Sequence, residues 1–175
     1  MAYTINHESV AHRTALFTVK LVDLSFPNGK SRVFDLIDIQ DAVTILPLDS
    51  DGYIHFVRQY RIGARAELLE LPAGKIEDGE APLLTAQREL REEIGMGAGS
   101  WQALGSFYMS PGYASEYMYC YLARDLHADP LTPDADEFLN VIKISLADTL
   151  DMVRSGEIRD SKTLAVLMLA RHLMP

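Results

Sequence analysis

Three glutamates in the middle of the chain are spaced so that one helix would bring them together. Glu92 and Glu93 follow Glu89 by three and four residues, and residues at those separations share a helix face. Like charges at such spacings destabilise a helix by roughly 0.2–0.5 kcal/mol per pair. A bound Mg²⁺ or Mn²⁺ would relieve the repulsion, because hard cations prefer oxygen ligands and bridge carboxylates to substrate phosphates. The spacing therefore favours metal-assisted phosphate chemistry, and the alternative is a solvated acidic surface.

The surrounding residues predict the helix that would carry these carboxylates. Pro82 suits a first-turn position and Gly95 suits the residue just after a helix, so a helix is predicted over residues 82–94. Apolar residues recur there at steps of three and four, which predicts a buried stripe. The stripe consists of Leu83, Ala86, Leu90 and Ile94.

Together with the loop before it, this segment resembles a known family motif. The matching positions are Gly74, Glu80, Arg88, Glu89, Leu90, Glu92, Glu93, Gly95 and Met96. They resemble the Nudix box, which here covers 23 of the 175 residues. The resemblance implies a hydrolase that uses Mg²⁺ or Mn²⁺ to cleave a diphosphate.

The same residues give the predicted metal centre. Glu89 and Glu93 lie on adjacent turns and are the first predicted ligands, with Glu92 as a third or water-mediated ligand. The resemblance adds the backbone carbonyl of Ala73 as a ligand, and it implies that Arg88 orients a glutamate.

Several carboxylates are candidates for the general base. Hydrolysis needs an oriented water and a group that accepts its proton. In enzymes resembling ADP-ribose pyrophosphatases the base lies in a loop before the last strand, which favours Glu137, with Asp136 a more distant choice. Glu116 is the rival, as base or as a further metal ligand. In many Nudix enzymes the base lies in the helix, which keeps Glu92 a candidate.

Two features narrow the substrate. Pro111 lies fifteen residues beyond the box, which resembles a mark of ADP-ribose pyrophosphatases that GDP-mannose hydrolases share, and Gly112 beside it is a predicted substrate-binding residue. Arg61, with Arg58 second, is predicted to bind a phosphate or a terminal ribose, because a guanidinium suits such groups. The alternative for Arg58 is a solvent-facing strand position.

The resemblance therefore implies a nucleoside diphosphate sugar as substrate, with ADP-ribose favoured and AMP and ribose 5-phosphate as products. One alternative is a GDP-mannose or other nucleotide-sugar hydrolase of the same family. The alternative from another class is a non-catalytic Nudix module that senses a ligand.

The remaining chain predicts an α/β fold. Strand-like segments are residues 14–25, 31–38, 42–48, 53–60, 67–71, 101–109, 116–123 and 138–144. The Asn28-Gly29 and Asp51-Gly52 steps predict hairpins. Helices are predicted from Ser145 to near Gly156 and from Asp160 to about Leu173, the latter with Leu164, Leu167 and Met168 facing inward. This order predicts a mixed sheet packed between helices, and the resemblance implies a Nudix-type α/β/α sandwich.

The first 39 residues are predicted to form an N-terminal β arm, an antiparallel hairpin or sheet, ahead of a hydrolase domain over residues 40–175. An isolated apolar hairpin is only marginally stable and needs a partner surface. That surface is a second subunit or its own domain. In relatives resembling ADP-ribose pyrophosphatases such a sheet exchanges between two subunits, so the resemblance implies a homodimer.

Composition limits the class of protein. Hydrophobic residues make up 48% and charged residues 23%, which is typical of a globular chain with a core. The net charge of −9 argues against nucleic acid or an anionic membrane as partner. A lone cysteine, Cys120, predicts a buried free thiol in a reducing compartment. No signal-like segment begins the sequence and its apolar runs are short, so a cytoplasmic location is expected.

Overall fold

The computed structural model describes residues 2–132 and 139–173. Its strands are β1 (Thr4–Arg13), β2 (Thr18–Ser25), β3 (Ser31–Asp38), β4 (Ala42–Pro47), β5 (Tyr53–Arg61), β6 (Ala66–Glu70), β7 (Ala73–Lys75), β8 (Met96–Tyr108), β9 (Tyr117–Ala128) and β10 (Asn140–Ser145). Its helices are α1 (Pro82–Ile94), α2 (Leu146–Ser155) and α3 (Ser161–Ala170). Within these residues, no helix is both long enough and apolar enough to cross a bilayer.

The chain divides into two compact units. The smaller unit consists of residues 1–41 and 108–117, and the larger unit consists of residues 42–107 and 118–175. The predicted boundary at residue 39 and the predicted dimerisation role of the arm remain predictions.

A three-stranded antiparallel sheet, in the order β1-β2-β3, forms most of the smaller unit. The hairpin predicted at Asn28-Gly29 is present: Gly29 has a φ of 82°, and the Phe26 amide donates to the Lys30 carbonyl at 2.8 Å. Strand β1 was not predicted. All ten of its residues are exposed, so it lacks the apolar alternation by which a half-buried strand is recognised.

The larger unit contains two sheets, one of which is mixed. In the sheet of order β7-β4-β9-β8, β4 runs parallel to β9 and antiparallel to β7. The second sheet has the order β10-β5-β6 and is antiparallel. The predicted α/β class with a mixed sheet is confirmed.

The turn predicted at Asp51-Gly52 is present, since the Asp49 amide donates to the Tyr53 carbonyl at 2.9 Å and Gly52 has a φ of 83°, but the strands that it joins do not pair in one sheet. Strands β4 and β5 belong to different sheets and share a single isolated bridge between Leu48 and Ile54. The physical reason is that β4 lies inside the molecule, with all six residues buried and both edges paired. A turn sequence cannot show whether the strands it joins have other partners.

The core is built around β4. Successive side chains of a strand point to opposite faces, so complete burial of β4 means that both faces are covered. On one face Val43 and Ile45 pack with Ala86 and Leu90 of α1, all fully buried. Helix α3 also packs against β4.

The predicted helix ends are confirmed. Helix α1 runs from Pro82 to Ile94, and Gly95 follows it in the left-handed region with a φ of 70°. Ser145 caps α2 by accepting from the Asp148 amide at 3.1 Å. The Asp160 carboxylate caps α3 by accepting from the Thr163 amide at 2.9 Å, and α3 continues as a 3₁₀ turn over Arg171–Leu173.

Two predicted inward positions are wrong. Leu83 is 38% exposed and Met168 is 67% exposed. The buried face of α1 is rotated away from Leu83 and takes in Thr85, Glu89 and Glu93 instead. Periodicity alone favoured the more apolar stripe, whereas the fold buries two glutamates.

Candidate functional site

Helix α1 presents Glu89 and Glu93 at a buried edge. Each residue is only 7% exposed, and the two lie one turn apart, as their spacing predicts. Glu92 and Arg88 lie next to them and are partly buried. Burying a carboxylate is costly unless hydrogen bonds or charges compensate, so the surroundings of these side chains decide what the site can do.

Strand β7 supplies the wall opposite the helix. It is held against β4 by the pairs Val43–Gly74 and Thr44–Ala73. A Cβ atom built on Gly74 would overlap the Glu89 carboxylate. Glycine is therefore required here for close approach of the Glu89 side chain to the backbone. At the residue before Gly74, the Ala73 amide donates to Glu93 Oε2 at 2.9 Å.

Arg88 organises the carboxylates around it. Its Nη1 donates to Glu89 Oε1 at 2.7 Å and to Glu92 Oε2 at 2.8 Å. Its Nε and Nη2 donate to the two Glu80 oxygens at 3.2 and 3.1 Å. Hydrogen bonding to Glu80 raises the pKa of Arg88, and the same bonds hold the pKa of Glu80 below its usual range. This geometry fits the predicted role of Arg88 in orienting a glutamate.

We call Glu80, Arg88, Glu89, Glu92 and Glu93 the box cluster. It brings four carboxylates together with one guanidinium. Two of the carboxylates are more than nine-tenths buried, where solvent screening is weak. The excess of negative charge makes the cluster a place where a cation would be stabilised.

The donor set of the box cluster fits a hard divalent cation. It offers carboxylate oxygens and the nearby Ala73 carbonyl, the ligand types that Mg²⁺ and Mn²⁺ take. The Gly74 cradle holds the Glu89 carboxylate close to the backbone that carries that carbonyl. In the described part of the chain, no three His, Cys, Asp or Glu side chains are already gathered as a ligand set. Arg88 draws one oxygen each of Glu89 and Glu92 toward itself, so metal binding would require these carboxylates to turn.

A second group of charged side chains surrounds Glu70, at the end of β6 and three residues before Ala73. This group was not predicted from the sequence. Glu70 is fully buried, and its oxygens accept from Arg61 Nε at 2.8 Å and Nη2 at 2.6 Å. Lys162 of α3 also donates to Glu70, and its Nζ lies 3.0 Å from Asp160. We call these four residues the Glu70 cluster. The signal that could have found it is an ionisable residue in the apolar run from Leu68 to Leu71, because a buried charge needs a partner.

The Glu70 cluster contains Arg61, one of the two arginines predicted to bind the substrate. Arg61 commits two nitrogens to Glu70 but keeps a side chain that is 41% exposed. Burial disfavours the charged form of Glu70, yet the hydrogen bonds from Arg61 and the charge of Lys162 outweigh it, and the pKa of Glu70 is lowered. Arg58 is partly buried in β5, opposite Leu69 of β6 and Asn140 of β10. Their substrate roles remain predictions.

The remaining predicted site residues lie in other segments of the chain. Gly112 and Glu116 belong to the smaller unit. Gly112 lies in the turn that the Ser110 carbonyl closes by accepting from Tyr113 and Ala114, and the Glu116 carbonyl accepts from the Met109 amide at 3.1 Å. Glu137 and Asp136 lie outside the described residues. Cys120 is a buried free thiol, as predicted, and burial raises its pKa to about 12.

Comparison with known proteins agrees with the motif and the fold. The NUDIX domain family matches residues 38–166. The chain is 36% identical over 163 residues to an ADP-ribose pyrophosphatase of Bacillus subtilis (strain 168), covering 89% of this chain and 88% of the relative. It is 32% identical over 167 residues to a GDP-mannose pyrophosphatase of Yersinia pestis (strain Pestoides F), covering 87% and 83%. The crystal structure of an ADP compounds hydrolase superposes with a TM-score of 0.90 at 32% identity, covering 99% of this chain and 94% of that one.

Proposed function

Because the chain belongs to the Nudix family and is a Nudix hydrolase, we propose that it hydrolyses the diphosphate bond of a nucleoside diphosphate sugar with Mg²⁺ or Mn²⁺ as cofactor. The observation that carries this proposal is the box cluster. Its buried glutamates lie against Gly74 and Ala73 with more negative charge than Arg88 balances. Such a site suits a cation that in turn binds a diphosphate.

Each residue of the box cluster has a part in this proposal. Glu89 and Glu93 hold the metal together with the Ala73 carbonyl, and Glu92 is a third or water-mediated ligand. Arg88 holds one oxygen each of Glu89 and Glu92, and these carboxylates turn when the metal binds so that an oxygen of each faces the ion. A bound divalent ion neutralises charge that builds on the phosphoryl oxygens.

The reaction also needs a base and a group that holds the substrate. A water oxygen attacks one phosphorus, a carboxylate accepts the water proton, and the bond from that phosphorus to the bridging oxygen breaks. Glu137 is the proposed base, with Glu116 and Glu92 as rivals. Arg61, Arg58 and the backbone at Gly112 are proposed to bind the substrate, and the exposed part of the Arg61 side chain supports its place there.

ADP-ribose is the proposed substrate, with AMP and ribose 5-phosphate as products. The relative named ADP-ribose pyrophosphatase supports this choice. GDP-mannose is a second candidate, which the relative named GDP-mannose pyrophosphatase supports. The four box glutamates and Arg88 are all present, so a non-catalytic ligand-sensing module is the less favoured reading.

The chain is also proposed to act in the cytoplasm as a homodimer assembled through its N-terminal arm. Support for the dimer comes from apolar side chains that the smaller unit leaves exposed, among them Ile5 at 57% and Val33 at 55%. Sedimentation of the full chain and of an Ile5→Lys, Val33→Lys variant would test the assembly. A monomeric parent chain would contradict it.

The activity is tested by a hydrolysis screen with identified products. The purified chain is incubated with ADP-ribose, GDP-mannose, dinucleoside polyphosphates and nucleoside triphosphates, each with Mg²⁺, with Mn²⁺ and with a chelator. The proposal predicts AMP and ribose 5-phosphate from ADP-ribose, only when metal is present. Tight ligand binding without turnover of any compound would favour the sensing module, and preferred cleavage of GDP-mannose would favour the second candidate.

A further inference from the structure

Lys162 is a buried ammonium that the proposed mechanism leaves without a role. It is 6% exposed and lies at the start of α3, where it contacts Glu70 and Asp160. Together with Arg61, these residues form a group of two cations and two anions whose formal charges cancel. Stability alone does not require such a group, because replacing a buried ion pair with packed apolar side chains is often neutral or stabilising.

The backbone that follows Glu70 is anchored at every residue. The Leu71 amide donates to Thr163 Oγ1 at 2.9 Å, and the Pro72 carbonyl accepts from the Ile45 amide at 2.9 Å. The Ala73 amide then donates to Glu93 Oε2 at 2.9 Å. The segment from Glu70 to Ala73 therefore runs from the Glu70 cluster directly into the predicted metal centre, with no unanchored residue between them.

We propose that Lys162 is a positioning residue for the metal centre: by fixing Glu70 at one end of this segment, it sets where the Ala73 carbonyl and the Glu93 carboxylate lie. This inference rests on the proposed function, because it assigns a task to Lys162 at the same metal site. Lys162 itself touches neither metal nor substrate. Groups that hold metal ligands in place from behind strongly affect metal affinity, since an ion with a preferred geometry is sensitive to small shifts.

An electrostatic interaction between Arg61 and Glu93 also links the Glu70 cluster to the box cluster. The hydrogen bonds to Glu70 raise the pKa of Arg61, and Asp160 and Glu93 add to that effect. Glu93 therefore interacts electrostatically with Arg61 of the Glu70 cluster, and the Ala73 amide also links it to the backbone segment that begins at Glu70. A displacement of Glu70 would reach Glu93 through the backbone from Glu70 to Ala73 and the hydrogen bond that the Ala73 amide donates.

The test measures Mn²⁺ affinity by the electron paramagnetic resonance signal of free Mn²⁺, which needs no catalytic turnover. Lys162→Met keeps an unbranched side chain that is one atom shorter and removes its charge. We expect the Mn²⁺ dissociation constant to rise about tenfold, the lower end of the effects seen when a group behind a metal ligand is removed. Lys162→Arg should recover most of the affinity. Lys143→Met is the matched control, because Lys143 pairs with Asp49 in the same unit and is exposed.

A double variant, Glu70→Gln with Lys162→Met, separates positioning from a simple charge defect. It removes both members of the Lys162–Glu70 pair, so position 70 carries no uncompensated carboxylate, and Asp160 keeps its hydrogen bonds from Thr163. The variant therefore also serves if Lys162→Met fails to fold. The inference predicts that Mn²⁺ affinity stays low in this variant. In activity assays of Lys162→Met, in which Glu70 still holds Arg61, it predicts that more Mg²⁺ is needed for half-maximal rate, with an unchanged KM for ADP-ribose at saturating Mg²⁺.

Three results would overturn the inference. One is a Lys162→Met protein that binds Mn²⁺ as the parent does, and another is full recovery of affinity in the double variant. Both leave the proposed function standing if the parent hydrolyses ADP-ribose. The third is a parent protein that binds no Mn²⁺, which would remove the proposed metal-dependent function together with the role of Lys162.

Discussion

The box cluster and the Glu70 cluster both bury carboxylates beside the same backbone segment, but only one of them balances its charge. In the Glu70 cluster, Arg61 and Lys162 face Glu70 and Asp160. In the box cluster, the ion pairs given by the described residues set the Arg88 guanidinium against Glu80, Glu89 and Glu92, and Glu93 adds a fourth carboxylate. The difference separates a group that is complete within the chain from one that suits an added cation. Replacing Glu93 in the box cluster should therefore lower activity, whereas replacing Glu70 in the Glu70 cluster should lower stability.

The largest effect is expected for Glu93→Gln in the box cluster. Removing a metal ligand forfeits charge stabilisation worth several kcal/mol, so turnover of ADP-ribose should fall by about a thousandfold. The neutral isostere keeps an acceptor for the Ala73 amide, so the fold should persist. Steady-state kinetics and circular dichroism measure the two properties. Glu157→Gln is the control, because Glu157 is an exposed glutamate of the same unit. Near-normal turnover in Glu93→Gln would remove Glu93 from the metal centre.

The same chemical change in the Glu70 cluster should act on stability. Glu70→Gln leaves the buried Lys162 and the Arg61 guanidinium without their shared anion. Breaking a buried pair in this way typically costs about 3–5 kcal/mol. Urea unfolding with a chelator present should show a loss near the lower end of that range, because Asp160 still faces Lys162. A loss below about 0.5 kcal/mol, the usual limit for surface changes, would mean that Glu70 is not needed to balance the charges of Arg61 and Lys162.

Acid should selectively weaken the Glu70 cluster. The pKa of Glu70 is lower in the folded chain than in the unfolded chain, so the unfolded chain binds the proton first as the pH falls. The stabilisation is therefore complete above the unfolded value of about 4.3 and is lost as the pH drops toward the folded value. The difference in unfolding free energy between the parent and Glu70→Gln should shrink between neutral pH and about pH 3. A difference that stays constant over that range would contradict the assignment.

The smallest effect is expected for Glu92→Gln, measured by urea unfolding without metal. The substitution loses the partly buried ion pair that Glu92 makes with Arg88 one turn away, and such helix pairs are worth about 0.3–0.5 kcal/mol, but it relieves repulsion with Glu89 of about the same size. Stability should change by less than about 0.5 kcal/mol. Destabilisation comparable to that of Glu70→Gln would show that the box cluster is as balanced as its neighbour.

The two clusters also differ in how far the sequence predicts them. The box cluster is local: Pro82 and Gly95 mark the ends of α1, and a spacing of three and four residues places the glutamates together. The Glu70 cluster joins Glu70 to Lys162 across 92 residues, and no local pattern reports a contact of that range. The same limit explains why the strands joined by the Asp51-Gly52 turn do not pair in one sheet, since the partners of β4 are β7 and β9. Leu83 shows that apolar periodicity misjudges a helix face when the fold buries glutamates on it.

Direct measurement of Mn²⁺ binding to the parent chain and to Glu93→Gln tests the central claim, that unbalanced negative charge in the box cluster captures a divalent cation. Titration calorimetry with each protein at neutral pH gives the affinity without any substrate. The account predicts binding by the parent chain and a loss of at least about tenfold in affinity in Glu93→Gln. Equal affinity in the two proteins, or no binding by the parent, would contradict it.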